Sequence, residues 1–404
     1  MILGADWVLP MDGPPVRDGA VRIEGGIIAE VSDRLQPDRR FGDAVILPGL
    51  VNAHTHLEYG SMSAMGDGLP FSPWIEQLIV RKSGLVRDDY LAQSHAGVHA
   101  CLAGGVTTIA DCSYADTVAE AAIAQGLRAI VYLEAFSDQG DPAGLMAGRL
   151  DALPSHPLIT PGISPHAPYT VTIEHYQQLV GLARARGIPV ATHLLESERD
   201  TQPLADLAGV LGPDTVAIHL VRADPGAISL LAGLGVPAVH CPRSNALLGC
   251  GTAPVPELLD AGLALGLGTD SPASALTFDM WDEMRAAILV ARARAQRPDA
   301  LSAERVLRMA TIDGARAMGM DAQIGSLEPG KRADLLVVSM ASARQTPMYD
   351  AVSHLVYVTR GDDVRTTIVN GRVLMRDRKV LSLDEPRVLA DARAYAEKVR
   401  AAVK

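Results

Sequence analysis

Two histidines separated by one residue, His54 and His56, follow an apolar run in the stretch VNAHTHLEYG. Side chains at i and i+2 of an extended segment point to the same face, so the pair can present two ring nitrogens to one point. That geometry suits a metal ion, but two ligands do not close a metal site, and an isolated pair is also typical of hydrogen-bonded surface histidines. A metal site therefore requires ligands from elsewhere in the chain.

Further candidate ligands follow later apolar runs. They are His166, His193, His219, His240 and Asp270. Taken singly, each is more often a core or loop residue than a ligand. Three neutral imidazoles and one carboxylate, however, are the set expected for a catalytic zinc or a similar divalent ion. The sequence predicts a metal centre if the fold brings these residues to one place.

The elements that must position them are eight short runs rich in Val, Ile, Leu and Thr, which alternate with longer amphipathic stretches. The runs are AVILPGLVN, VTTIADCS, LRAIVYLEAF, LITPGISP, IPVATHLLE, TVAIHLV, VPAVHCP and LALGLGTD. This order predicts an α/β fold, a (β/α)8 TIM barrel over residues 49–321. Barrel chemistry lies at the C-terminal ends of the strands, where the candidate ligands follow.

The flanks of the barrel have a different pattern. Residues 1–48 and 322–380 have the pattern of short strands with turns, including the Asn-Gly turn of RTTIVNGRVLM. Both ends are therefore predicted to combine into one small composite β-sandwich domain. A C-terminal helix is predicted over residues 381–404.

Composition and charge narrow the class of partner. The 404 residues are 48% hydrophobic and carry a net charge of -11, which argues against nucleic acid or an anionic membrane as a partner. No apolar run approaches the ~20 residues that span a bilayer, and no signal peptide opens the chain. The four cysteines lack a CxxC pair and are expected to be buried or incidental thiols. We expect a cytoplasmic protein with a small-molecule substrate, acting alone or as a homodimer.

Five motifs in order give the chain a family resemblance. PGLVNAHTHLE, SPHAPYT, HLLESE, HCPRSNALLGCG and LGTDSPAS resemble the amidohydrolase superfamily, in the branch of cytosine deaminases, adenosine-type deaminases and triazine hydrolases. The resemblance covers nearly the whole chain and is strongest to the aminodeoxyfutalosine deaminases of the alternative menaquinone pathway. It implies a deaminase, a hydrolase of carbon–nitrogen bonds in cyclic amidines. A scaffold protein would lack metal ligands, and none is missing here.

The resemblance also implies a ligand set and catalytic roles. It places one divalent ion per chain, zinc with iron as the alternative, on His54, His56, His193 and Asp270. The ion lowers the pKa of a bound water toward roughly 7, so hydroxide can attack an amidine-like carbon with release of ammonia. Asp270 would take the proton of the water. Glu196 would shuttle protons to the ring nitrogen and the leaving amine, and His219 would act beside the metal.

The expected number of metal ions depends on lysine. Binuclear members of the superfamily usually bridge two ions with a carbamylated lysine, and this chain has no lysine between Lys82 and Lys331. The bridge cannot form, so a mononuclear site is predicted.

Substrate recognition is less constrained by these motifs. The candidate substrate-binding residues are Phe71, Trp74, His166, Asn245 and Ser271. Where nucleoside deaminases are expected to carry a ribose-binding acid, two residues before the tryptophan, this chain has Ser72. A 6-aminopurine nucleoside such as aminodeoxyfutalosine is the first expectation. The alternatives are S-adenosylhomocysteine, methylthioadenosine, pterin, guanine and triazine substrates, which differ in loops rather than in the metal site.

Overall fold

The computed structural model describes residues 1–402, and its strands fall into two sheets. The strands are β1 (Ile2–Val8), β2 (Val16–Arg17), β3 (Ala20–Glu24), β4 (Ile27–Ser32), β5 (Arg39–Pro48), β6 (Leu50–Thr55), β7 (Val106–Ser113), β8 (Arg128–Ala135), β9 (Ile159–Pro165), β10 (Val190–Leu194), β11 (Thr215–His219), β12 (Ala238–His240), β13 (Leu265–Leu267), β14 (Leu335–Ser339), β15 (Val364–Val369), β16 (Arg372–Arg376) and β17 (Lys379–Val380). Strands β6 to β13 form an eight-stranded parallel sheet in sequential order, and the others form a mixed sheet. The predicted barrel and its accessory β domain are confirmed.

Helices follow most of the barrel strands. They are α1 (Phe71–Lys82), α2 (Arg87–Gly104), α3 (Val118–Gln125), α4 (Pro142–Ala152), α5 (Ile173–Arg186), α6 (Pro225–Gly233), α7 (Pro242–Leu247), α8 (Val255–Asp260), α9 (Pro272–Ala275), α10 (Met280–Ala295), α11 (Ala303–Met309), α12 (Ile312–Ala317), α13 (Ala351–Tyr357) and α14 (Glu385–Ala401). One unit departs from the predicted alternation, because a short 3₁₀ helix, Leu204–Leu207, connects β10 to β11. Pro203, Gly209 and Pro213 disfavour a longer helix there.

A polar contact joins the first barrel strand to the segment that follows the last one, β13. The Asn52 amide donates to Thr269 Oγ1 at 2.7 Å, and the Thr269 backbone N–H donates to Asn52 Oδ1 at 2.9 Å. The backbone N–H of Asp270 donates to the carbonyl of His54 at 3.0 Å. Asn52 and Thr269 are both fully buried, so these bonds close the barrel without help from water.

We expect Asn52→Ala to lower the free energy of unfolding by about 2 to 4 kcal/mol, because it leaves the buried backbone N–H of Thr269 without a partner and removes the donor to Thr269 Oγ1. Urea denaturation of Asn52→Ala, Thr269→Val and the double variant measures it. The two side chains bond each other, so the double variant should lose less than the sum of the single losses. Additive losses would show that the contact does not close the barrel.

The boundary between the two sheets falls at Gly49, inside the apolar run AVILPGLVN. Strand β5 ends at Pro48 in the mixed sheet, and β6 begins at Leu50 in the barrel. A Cβ atom on Gly49 would lie 1.9 Å from Thr107 Oγ1, so only glycine fits where the chain passes β7. One uninterrupted apolar run therefore contributes residues to a strand in each of the two sheets.

The mixed sheet combines strands from both ends of the chain, with β14 pairing β5. The predicted Asn-Gly turn joins β15 to β16, and Asn370 and Gly371 have φ values of 51° and 75°. A Cβ on Gly371 would lie 2.7 Å from the Cα of Gly26, so the sheet folds over until its two hairpin turns touch. Leu3, Ile28, Ile46, Leu335 and Ile368 are among the buried residues between its halves.

Helix α14 packs beside the barrel rather than on the mixed sheet. Its residues Tyr395 and Val399 belong to the same buried cluster as Tyr59, Phe71 and Trp74. The predicted C-terminal helix is thus present, although residues 403 and 404 lie outside the described part of the chain. None of the described helices has the length and apolar character needed to cross a membrane.

Candidate metal centre and active site

The histidine pair is fixed by the residue between the two rings. His54 and His56 face the barrel centre, while the Thr55 hydroxyl donates to Asp111 Oδ2 at 2.7 Å. The backbone N–H of Leu57 donates to the same oxygen at 2.7 Å. Burial, together with the charge of a nearby carboxylate, raises the pKa of Asp111 to about 7. The side chains of His54, Thr55 and His56 therefore alternate between two faces, as expected of an extended segment. Asp111 holds the segment on the face opposite the two histidine rings.

Four side chains converge at the C-terminal end of the barrel at distances that suit a tetrahedral ion. The Nε2 atoms of His56 and His193 are 3.3 Å apart, and Asp270 Oδ1 lies 3.7 Å from Nε2 of both His54 and His56. Four ligands at the usual zinc–nitrogen distance would be roughly 3.4 Å from one another. His54 Nε2 is buried and has no hydrogen-bond partner among the described residues. The arrangement therefore fits a zinc ion.

The second nitrogen of two of these rings is occupied by a backbone carbonyl. His56 Nδ1 donates to the carbonyl of Cys112 at 2.9 Å, and His193 Nδ1 donates to that of His166 at 2.8 Å. A neutral imidazole that donates through Nδ1 carries its lone pair on Nε2, so both rings direct one acceptor nitrogen at the centre. Each ring can therefore coordinate only one metal ion.

The electrostatics of the cluster favour a cation. Burial and the neighbouring His56 lower the pKa of His54 well below its usual value, and they lower that of His193 to about 3, so both rings are neutral ligands. Burial alone would lower the pKa of His56, but the carboxylates of Glu134 and Asp270 outweigh it and raise this pKa. The carboxylates that favour a proton on His56 would equally favour a metal cation there.

Asp270 and His219 have unusual backbone conformations. Their φ values are 60° and 78°, in the left-handed region that non-glycine residues rarely adopt. Asp270 is held there by Ser244 and Ser274, whose hydroxyls donate to its Oδ2 at 2.6 and 3.0 Å. Strained residues of this kind cluster at functional sites, where the surrounding contacts hold them in place.

Glu196 lies beside the centre and contacts His219, which is itself held by a second side chain. His219 Nε2 is 3.4 Å from Glu196 Oε1, and its Nδ1 is 2.9 Å from Asn245 Oδ1. Burial, with the charges of Asp270 and Asp200, raises the pKa of Glu196 well above its usual value. A buried carboxyl of raised pKa holds its proton more firmly than an exposed one and can donate it to a bound ligand.

A cavity of 440 Å³ opens over the centre and has the size of a small-molecule site. Phe71, Trp74, His166 and Ser271 all line it, as does Tyr169. The Tyr169 ring lies perpendicular to those of Phe71 and His166, with centroids 6.3 and 5.8 Å away. Such walls suit a flat ring.

Asn245 alone among the candidate substrate-binding residues does not line this cavity. It is fully buried, and its side-chain oxygen contacts His219. The structure therefore places Asn245 behind a ring of the site rather than against the space for a substrate. His240 is likewise absent from the converging groups of possible ligands.

Glu58, the last residue of HTHLE, was not selected from the sequence. Its carboxylate accepts hydrogen bonds from the hydroxyls of Ser113 and Thr117 at 2.9 and 2.7 Å. It also accepts from the backbone N–H groups of Tyr114, Ala115 and Thr117. Glu58 therefore fixes the loop after β7, which carries Tyr114 into the cavity wall. Glu58 follows His56 by two residues, and that position was the sequence signal that could have identified it.

Comparison with known proteins defines the class. Residues 45–374 match the sequence profile of the amidohydrolase family. The chain is 36% identical to the 5-methylthioadenosine/S-adenosylhomocysteine deaminase of Syntrophobacter fumaroxidans, over 99% of this chain and 98% of that protein. It is 35% identical to the 5'-deoxyadenosine deaminase of Methanosarcina barkeri, over 97% and 96% of the two chains. The chain belongs to the amidohydrolase family.

Solved structures agree with this assignment. An adenosine deaminase from Xanthomonas campestris with bound zinc superimposes with a TM-score of 0.94 at 30% identity, covering 99% of this chain and 98% of that one. The zinc complex of atrazine chlorohydrolase from Arthrobacter aurescens superimposes with a TM-score of 0.90 at 24% identity, covering 98% and 99%, and shares the fold. The protein is a hydrolase that acts on carbon–nitrogen bonds in cyclic amidines.

Proposed function

We propose that the protein deaminates a 6-aminopurine nucleoside of the adenosine type. The observation that carries this proposal is the position of Glu196, a buried carboxyl 3.4 Å from His219 at the floor of an aromatic-walled cavity. A proton carrier there suits a reaction in which a ring nitrogen is protonated and an amine leaves. The similar proteins named as methylthioadenosine, S-adenosylhomocysteine and 5'-deoxyadenosine deaminases support the same substrate class.

The ion in this proposal is a single zinc, with iron as the alternative. His54, His56, His193 and Asp270 would hold it, because their donor atoms converge at the spacing given above. When bound, a divalent ion lowers the pKa of a water ligand toward roughly 7 and so supplies a nucleophile at neutral pH.

The chain's own groups then move the protons. Asp270 Oδ2 accepts from the hydroxyls of Ser244 and Ser274, while Oδ1, which also accepts from the backbone N–H of Ser271 at 2.7 Å, faces the centre. Asp270 takes a proton from the attacking water on that side. Glu196 delivers its proton to the ring nitrogen, takes up the proton of the hydroxyl left on carbon 6, and passes that proton to the amine, which leaves as ammonia. The proton held by Asp270 then restores Glu196, since the two carboxyl groups lie in one cluster with His219. His219, fixed through its Nδ1, orients the attacking oxygen from the side of Glu196.

An ammonia-release screen tests the proposal. The metal-loaded protein would be assayed with adenosine, 5'-deoxyadenosine, methylthioadenosine, S-adenosylhomocysteine and aminodeoxyfutalosine, and with guanine, a pterin and an aminotriazine as the competing classes. We expect at least one adenosine-type nucleoside to reach a kcat/KM of about 10⁴ M⁻¹s⁻¹ or more. Ammonia from guanine, pterin or triazine, with none from any nucleoside, would contradict the proposed substrate class.

A further inference from the structure

A second buried carboxylate, Glu134, lies beside the centre at the end of β8. It is only 3% exposed, and its Oε1 has no hydrogen-bond partner among the described residues. One of its oxygens lies within 4.8 Å of the ligand nitrogens of His56 and His193, and the residue lines the cavity. Buried carboxylates are almost always paired, because desolvation without a partner is costly. An unpaired one in a cavity wall indicates a partner supplied by the ligand.

Nearby cations do not fill this role. Arg149 bonds the backbone carbonyl of Glu134 and directs the rest of its guanidinium to Asp116. Lys82 Nζ donates to the Tyr59 hydroxyl at 3.3 Å and lies 3.7 Å from the centre of the Tyr114 ring. Among the described residues, Arg149 pairs with Asp116 and Lys82 with the Tyr59 hydroxyl, and neither cation forms an ion pair with the Glu134 carboxylate.

Metal coordination does not account for Glu134 either. His56 and His193 each offer one nitrogen to the centre, and both nitrogens belong to the ligand set with Asp270. The group formed by these two rings and Glu134 therefore cannot hold a second ion beside the first. This leaves the substrate as the partner of Glu134.

We propose that Glu134 accepts hydrogen bonds from the ribose hydroxyls of the substrate and thereby selects nucleosides with an intact diol. The inference rests on the proposed function. Ser72, which replaces the expected sugar-binding acid, donates to Glu198 at 3.1 Å and does not line the cavity. Glu196 and Asp270 are engaged in the chemistry. Glu134 is the remaining buried carboxylate of the wall, and its two oxygens match the two O–H donors of a vicinal diol.

Kinetics on paired substrates test this inference. Adenosine and 2′,3′-dideoxyadenosine would be compared with the wild type, with Glu134→Gln and with Asp138→Asn, which removes the same charge at an exposed position of the cavity mouth. We expect the wild type to prefer adenosine by about 10- to 100-fold in kcat/KM, the size of a charge-assisted hydrogen bond. Glu134→Gln should lose that preference, mainly through KM for adenosine, and keep its metal. Asp138→Asn should keep the preference.

Three results would overturn the inference. The first is a wild type that uses both nucleosides equally, which needs no variant to fold. The second is an equal loss on both nucleosides in Glu134→Gln, and the third is a loss of metal from it, since either would show a role in the fold or the centre. Failure of the wild type on every nucleoside would instead contradict the proposed function, so the two failures are distinguishable.

Discussion

Replacing Glu196 by Gln should lower kcat by about 10³- to 10⁴-fold while metal content and KM change little. Gln is nearly isosteric with Glu but cannot carry a proton from one atom to another. General acid–base groups contribute ~10²- to 10⁴-fold, and a group that both accepts and donates in one turnover belongs at the upper end. Steady-state ammonia release by the metal-loaded variant measures the loss, and metal analysis of the same sample checks the centre.

The matched control is Glu198→Gln, in the same ESERD segment. Glu198 is exposed and accepts a hydrogen bond from Ser72, so its replacement should leave kcat within about threefold of the wild type, as for most surface changes. A Glu196→Gln variant that matches this control would remove Glu196 from the chemistry. The residues of the site would then no longer favour a deaminase over another hydrolase.

Replacing His193 by Ala should abolish activity and reduce the bound metal from one ion per chain to a small fraction. The change would open the proposed four-ligand shell, since Nε2 of His193 lies 3.3 Å from Nε2 of His56 and the His193 ring is fixed by the carbonyl of His166. Elemental analysis of the purified variant, beside its circular dichroism spectrum, separates metal loss from misfolding.

His156→Ala is the control for the histidine change itself. His156 precedes β9 at the opposite end of the barrel, and its ring accepts a hydrogen bond from the N–H of Leu158 two residues on. This variant should keep one ion per chain. Full metal occupancy in His193→Ala would contradict the ligand assignment, and two ions per chain in the wild type would contradict a mononuclear centre.

The barrel was predictable because parallel strands buried on both faces are nearly continuous apolar runs. Strands β7 and β8 are buried along their whole length, and the runs VTTIADCS and LRAIVYLEAF mark them. The convergence of the candidate ligands followed from the rule that functional groups lie at the C-terminal ends of barrel strands. His54 and Asp270 are distant in sequence, yet that rule alone placed them together.

Roles that depend on side-chain partners were not predictable. Asn245 was selected for the substrate, but its contact with His219 depends on how α7 packs. Glu134 was overlooked, although a carboxylate near the end of the apolar run LRAIVYLEAF is a signal, since a strand rarely buries a charge without a purpose. The short 3₁₀ connection after β10 was also missed, because proline and glycine indicate where a helix is disfavoured but not what replaces it.

The fate of oxygen and nitrogen in one reaction tests the proposed deamination most directly. The metal-loaded protein would be incubated with 5'-deoxyadenosine in water labelled with heavy oxygen, and the products would be analysed by mass spectrometry and an ammonia assay. We expect one ammonia per turnover and one heavy oxygen at purine carbon 6, with the sugar–base bond intact. Release of free adenine, or consumption of the nucleoside without ammonia, would contradict it.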